Sequence, residues 1–160
     1  MSWHVLYVKP RTEKKMARHS ERLGLSYYLP LKRETKIYQR RRVTVDKPVF
    51  PGYFFACYDR DGRLGLLKSN NIVRDLTPPN ERQLLHELAQ VRKALKVDPT
   101  LGAVAALKRG RRVRITGGPF MGVEGLVHGL KNTNTVRLNV DMIGQAIAVE
   151  VDKDYLEVIE

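Results

Sequence analysis

Hydrophobic and polar positions change their period several times along the chain, and each change marks an element. Trp3 to Lys9 (WHVLYVK) is aromatic and β-branched with no Gly or Pro inside, the pattern of a strand. Thr12 offers an N-cap oxygen and Glu13 a first-turn acid, so a helix is predicted to open there and to close at Gly24. On it Met16, Ala17, Ser20 and Leu23 share one side, whereas Lys15, Arg18, His19 and Arg22 follow the i, i+3, i+4, i+7 spacing on another. One face is core and the other is cationic. Two extended segments, Tyr27 to Tyr38 and Val43 to Phe50, are joined across Gln39 to Arg42 as a hairpin with a basic tip. A Pro-Gly break then starts an aromatic strand, Phe50 to Tyr58 (FPGYFFACY). Asn80 is placed to cap a helix displaying Leu84, Leu85, Leu88, Val91 and Leu95.

Past Lys96 the texture changes. The stretch KVDPTLGAVAAL carries Pro99 and Gly102 among small residues and reads as a linker. Beyond it come five short alternating segments: Arg111 to Ile115, Val123 to His128, Val136 to Val140, Ile147 to Val151 and Tyr155 to Ile159. Five short strands with no helical period predict a small closed barrel, whose closure would protect its edges. The expected organisation is α+β: an antiparallel α/β domain over 1–97, a linker over 98–106 and a small all-β barrel over 107–160.

Charge adds a function to this picture. The chain carries 29 Lys and Arg against 17 Asp and Glu in 160 residues, and hydrophobic residues make up 42%, enough for a packed core. Up to Asp98 there are 21 basic and 10 acidic residues, and after it 8 and 7. Such asymmetry implies that the first part meets a polyanion, with nucleic acid foremost, and that the second has other work. The densest run holds Lys32, Arg33, Lys36, Arg40, Arg41, Arg42 and Lys47 against Glu34 and Asp46.

The chemistry of catalysis is thin. Cys57 is the single cysteine, and His4, His19, His86 and His128 show no i, i+4 pair, so neither a disulfide scaffold nor a zinc site is expected. GGPFMGVEG is rich in glycine, but no Gly-Lys-Ser/Thr follows, and turn glycines of a barrel describe it better than a phosphate loop. No apolar run approaches the roughly 18 residues of a membrane span. The expectation is a cytoplasmic, monomeric binding protein, not an enzyme, with no cofactor, no metal and no membrane association.

Three stretches carry a resemblance. WHVLYVKPRTEKKMA (Trp3 to Ala17), KPVFPGYFFACY (Lys47 to Tyr58) and LKRGRRVRITGGPFMGVEGLV (Leu107 to Val127) resemble, in that order, signatures of the NusG family of transcription elongation factors. The resemblance implies an NGN-type domain that rides on bacterial-type RNA polymerase, followed by an SH3-like KOW barrel that recruits a protein. By resemblance, Tyr53 and Phe55 on the aromatic strand would dock on the polymerase clamp, with Phe54 facing the core. Lys9, Lys15, Arg18, His19 and Arg22 would contact the exposed non-template DNA strand, and Arg40, Arg41 and Arg42 would add less specific attraction. Pro119 and Phe120 of the KOW loop would meet a ribosomal protein or termination factor. The basic hairpin and short length imply a specialised, RfaH-like paralogue, although the intact KOW loop departs from the switching type. A ribosome-associated RNA-binding KOW protein is the alternative, against which the near-neutral second part argues; a nuclease would need clustered carboxylates that the first part lacks.

Overall fold

The computed structural model of the protein describes residues 1–129 and 134–159. In chain order its elements are β1 (Ser2–Val8), α1 (Glu13–Arg22), β2 (Ser26–Tyr28), β3 (Leu31–Tyr38), β4 (Arg41–Pro48), β5 (Tyr53–Tyr58), α2 (Arg60–Leu67), β6 (Ile72–Leu76), α3 (Glu81–Val97), β7 (Ala103–Ala105), β8 (Arg111–Ile115), β9 (Glu124–Val127), β10 (Thr135–Val140), β11 (Gln145–Glu150) and β12 (Leu156–Val158). Two units divide them: Met1–Pro30 with Phe50–Glu81, and Leu31–Val49 with Arg82–Glu160.

The first unit is an antiparallel sheet in the order β2-β5-β1-β6. Leu6 faces Phe54, Val5 faces Phe55 and Tyr7 faces Tyr53 across the central pair. Alternation sends Leu6, Val8, Phe54, Ala56 and Tyr58 to one face, where they cluster with Met16 of α1 and Leu66 of α2. Burying one such large apolar side chain stabilises the unit by about 1.5–3 kcal/mol. Gly24, at φ +70°, ends α1 in a backbone conformation that glycine adopts without strain. The predicted cap at the other end is not made, since the Thr12 hydroxyl donates to the Lys9 carbonyl at 2.6 Å instead of accepting from the helix. Helix α2 and strand β6 are additions to the expected elements; Asp59 caps α2 by accepting from the Gly62 N–H at 2.9 Å.

In the second unit β3 and β4 form a two-stranded ribbon, and the segment expected to run unbroken from Tyr27 to Tyr38 is interrupted between β2 and β3. The C-terminal strands make one antiparallel sheet in the order β12-β8-β9-β10-β11-β7. Val113, Ile115, Val127, Val136, Leu138, Val140, Ile147 and Val149 are buried as its core. Its sixth strand, β7, pairs with Gln145 to Ile147 and comes from the stretch that reads as linker. Helix α3 buries Leu84, Leu88, Val91 and Ala94, while Leu85 is exposed.

Candidate nucleic-acid interface

Helix α1 presents Lys14, Lys15, Arg18 and Arg22 to solvent while Met16 and Ser20 are buried. Lys9 is exposed just beyond β1, and its backbone is fixed on two sides: its N–H donates to the Asn71 carbonyl at 2.9 Å and its own carbonyl receives the Thr12 hydroxyl. Arg11 is exposed beside it at φ +63°. Lys14 and Arg11 therefore extend the expected cationic face; their place in the run PRTEKK was the available signal.

His19 departs from that face. Its ring is half-buried, and Nε2 lies 2.9 Å from the Gly65 carbonyl on α2. A ring nitrogen committed to a backbone carbonyl is not presented to a base, so the structure places His19 in a tie between two helices. Helical spacing could not report this contact, because Gly65 lies 46 residues away.

Arg40, Arg41 and Arg42 are all exposed at the ribbon tip. The base of the ribbon is charge-compensated: Glu34 lies 3.0 Å from both Lys32 and Lys47, and Arg33 is 3.8 Å from Asp46. Hydrogen bonds from Lys32 and Lys47 hold the Glu34 carboxyl below its ordinary range. Among the described residues no carboxylate stands within ion-pair distance of the three tip arginines.

The aromatic strand requires a correction. Phe55 is fully buried, as is Phe54, so the anticipated exposed pair keeps Tyr53 alone. Phe55 pairs with Val5, itself fully buried, so this part of the face is covered, whereas Tyr53 and Tyr7 on the same face lie nearer the ends of β5 and β1. Tyr53 is partly exposed, and its neighbour is Tyr7 across the ladder, 40% exposed, with ring centroids 5.3 Å apart at 56°. Gly52, at φ +88°, lets this pair form: a Cβ there would lie 2.9 Å from the Tyr7 ring. Tyr7 was legible as a strand residue but not as a surface one.

The loop between β8 and β9 shows a similar shift. Pro119 is exposed, but Phe120 is half-buried and Met121 is the residue that stands out, at 70% exposure. Hydrogen bonds from Met121 N–H to Gly118 and from Gly122 N–H to Ile115 fold the loop tightly. Tyr155 backs it so closely that a Cβ on Gly117 would come within 2.6 Å of its ring.

Polar contacts also link α3 to the C-terminal sheet within the second unit. Gln90 Oε1 accepts from the Glu124 N–H at 2.9 Å, and Glu87 accepts from the Asp141 N–H at 3.2 Å. Burial, reinforced by the Asp141 charge, pushes the Glu87 carboxyl up to about 7. Burial likewise raises the Cys57 thiol. No group of three or more His, Cys, Asp or Glu among the described residues could hold a metal ion, and no described helix is long and apolar enough to cross a membrane.

A family model described as NusG, transcription termination factor nusG, matches residues 1–96. A transcription termination/antitermination protein NusG from Borreliella burgdorferi is 21% identical, over 99% of this chain and 98% of that one. Among solved structures, one described as domain interaction in Thermotoga maritima NusG is 17% identical with a TM-score of 0.48, covering 99% of this chain and 97% of that one. An MjSpt4:Spt5 complex is 16% identical with a TM-score of 0.33, covering 99% and 97%.

Proposed function

The chain belongs to the NusG family, and we propose that it is an RfaH-like elongation and antitermination factor that rides on bacterial-type RNA polymerase. Residues 1–97 would carry the polymerase and DNA contacts and residues 107–160 a KOW barrel, with 98–106 between them. The observation that carries this reading is the cationic face of α1: Lys15, Arg18 and Arg22 stand exposed on a helix whose opposite side is anchored by buried Met16 and Ser20. Cations on a rigid helix neutralise phosphates with no backbone ordering cost, only that of their own side chains. On the same unit, Tyr7 and Tyr53 offer an aromatic patch that suits the polymerase clamp, and Lys9 extends the cationic face towards the non-template strand. Pro119 and Met121 would present the KOW loop to a ribosomal protein or termination factor.

The test uses elongation complexes with an exposed non-template strand. Lys15→Gln, Arg18→Gln and Arg22→Gln together should flatten the log-log salt dependence of strand binding by roughly 0.7 per lost contact. Tyr53→Ala should separately reduce retention on polymerase at any salt. Unchanged salt slope together with unchanged polymerase retention would sink the reading.

A further inference from the structure

We propose that the β3–β4 ribbon is a second nucleic-acid element, one that enters the major groove of double-helical DNA with Arg40, Arg41 and Arg42 at its leading edge. This deepens the function proposed above and rests on it for the presence of DNA.

Four features of the ribbon lead there. Every residue from Thr35 to Thr44 is exposed, so the outer half of the ribbon has both faces in solvent. A platform for an unpaired strand needs one stacking face, whereas a groove surrounds whatever enters it on both faces. Next, the tip carries its apolar groups on both sides. Tyr38 pairs with Arg41 on one face, and Ile37 with Arg42 on the other, at 68% and 77% exposure for Tyr38 and Ile37.

The turn itself is the third feature. Gln39 and Arg40 both have left-handed backbones, at φ +48° and +67°, where two-residue hairpins ordinarily use Asn and Gly. Full side chains are kept at positions that disfavour them, which fits a tip whose side chains are used. Finally, the ribbon's charge is compensated at its base by Glu34 and Asp46 and left uncompensated at its tip. The arginines thus complement an anion from outside the ribbon.

Dimensions select the duplex. Thr35 to Tyr38 spans three steps of about 3.4 Å, roughly 10 Å, which exceeds the major groove's depth of about 8.5 Å. Two strands about 4.8 Å apart, with their side chains, fit its width of about 12 Å, whereas the narrow major groove of double-stranded RNA does not admit side chains.

The experiment measures binding of the full chain to a mixed-sequence DNA duplex, the matching RNA duplex and each single DNA strand, by fluorescence anisotropy over a range of salt. Arg40→Gly suits the left-handed position and keeps the turn, so Arg40→Gly, Arg41→Gln and Arg42→Gln together should leave the circular dichroism spectrum unchanged. DNA-duplex affinity should fall at least tenfold, with a salt slope reduced by about 0.9 per contact, while single-strand affinity holds within twofold. The wild-type chain should shield guanine N7, a major-groove atom, from methylation, and the triple variant should not. Equal losses on DNA and RNA duplexes would reduce the tip to undirected attraction and overturn the proposal, as would an equal loss on single strands or absent N7 protection. The Lys15, Arg18 and Arg22 variant gives the reverse pattern; if it alone has no effect, the α1 reading fails while the ribbon stands.

Discussion

The Gly52 N–H donates to Glu13 Oε2 at 2.9 Å, so the first turn of α1 holds the corner before β5. Glu13 is 4% exposed, which makes this a buried acceptor meeting a backbone donor that has to be satisfied. Tyr7 lies directly against the same glycine. One carboxylate therefore fixes both the end of a helix and the seat of the aromatic patch.

Glu13→Ala should lower unfolding stability by about 1–3 kcal/mol in urea denaturation, because it leaves a buried N–H unmatched. Glu13→Gln keeps an acceptor oxygen and should retain most of that. Equal midpoints for the two variants would refute the role given to the acceptor. Gly52→Ala combines a left-handed φ with a 2.9 Å approach to the Tyr7 ring, and should displace that ring as well as destabilise the unit.

His19 and Arg18 are adjacent but should fail differently. His19→Ala removes a tie to the Gly65 carbonyl, so it should reduce thermal stability and leave the salt slope of DNA binding in place. Arg18→Gln should do the opposite, with a slope lower by roughly 0.7. A His19→Ala chain with wild-type melting and a reduced slope would return His19 to the DNA.

How far the sequence reaches can be judged from such pairs. Strands β1 and β5 were legible because WHVLYVK is aromatic and β-branched with no Gly or Pro inside and a Pro-Gly break starts the aromatic run YFFACY, and Gly24 marked the end of α1. Helix α2 was hidden because RDGRLGLL carries two glycines and only eight residues. Strand β7 is three small residues, too short to show a period. The cationic face of α1 was readable from spacing, whereas the loss of His19 to Gly65 and the burial of Phe55 depend on residues distant in sequence. Sequence can state which residues share a face; it cannot state which face is covered.

Glu87 should make the contact between α3 and the C-terminal sheet depend on pH. Its carboxyl is raised from 4.5 to about 7, so the folded chain keeps a proton that the unfolded chain releases near its ordinary value. Stability from this group is full below about 4.5, declines as pH rises through the window and is gone above about 7. Melting temperatures between pH 4.5 and 8 should therefore fall less steeply for Glu87→Gln than for the wild-type chain. Parallel profiles would refute the assignment.

The β8–β9 loop allows fold and recognition to be separated. Met121 is 70% exposed, and truncating an exposed side chain away from caps and pairs changes stability by about 0.5 kcal/mol or less. Met121→Ala should melt like the wild-type chain while capturing less ribosomal protein or termination factor. Phe120 is half-buried in a loop whose turns are closed by its own backbone hydrogen bonds, so Phe120→Ala should lower the melting temperature. Gly117→Ala should do so more strongly, because its Cβ would meet Tyr155 at 2.6 Å and backbone and ring would both have to shift. Thermal melts and pull-downs on the same three variants decide the matter: undiminished capture by Met121→Ala together with lost capture by a stably folded Phe120→Ala would move the recognition role from Met121 to the phenylalanine.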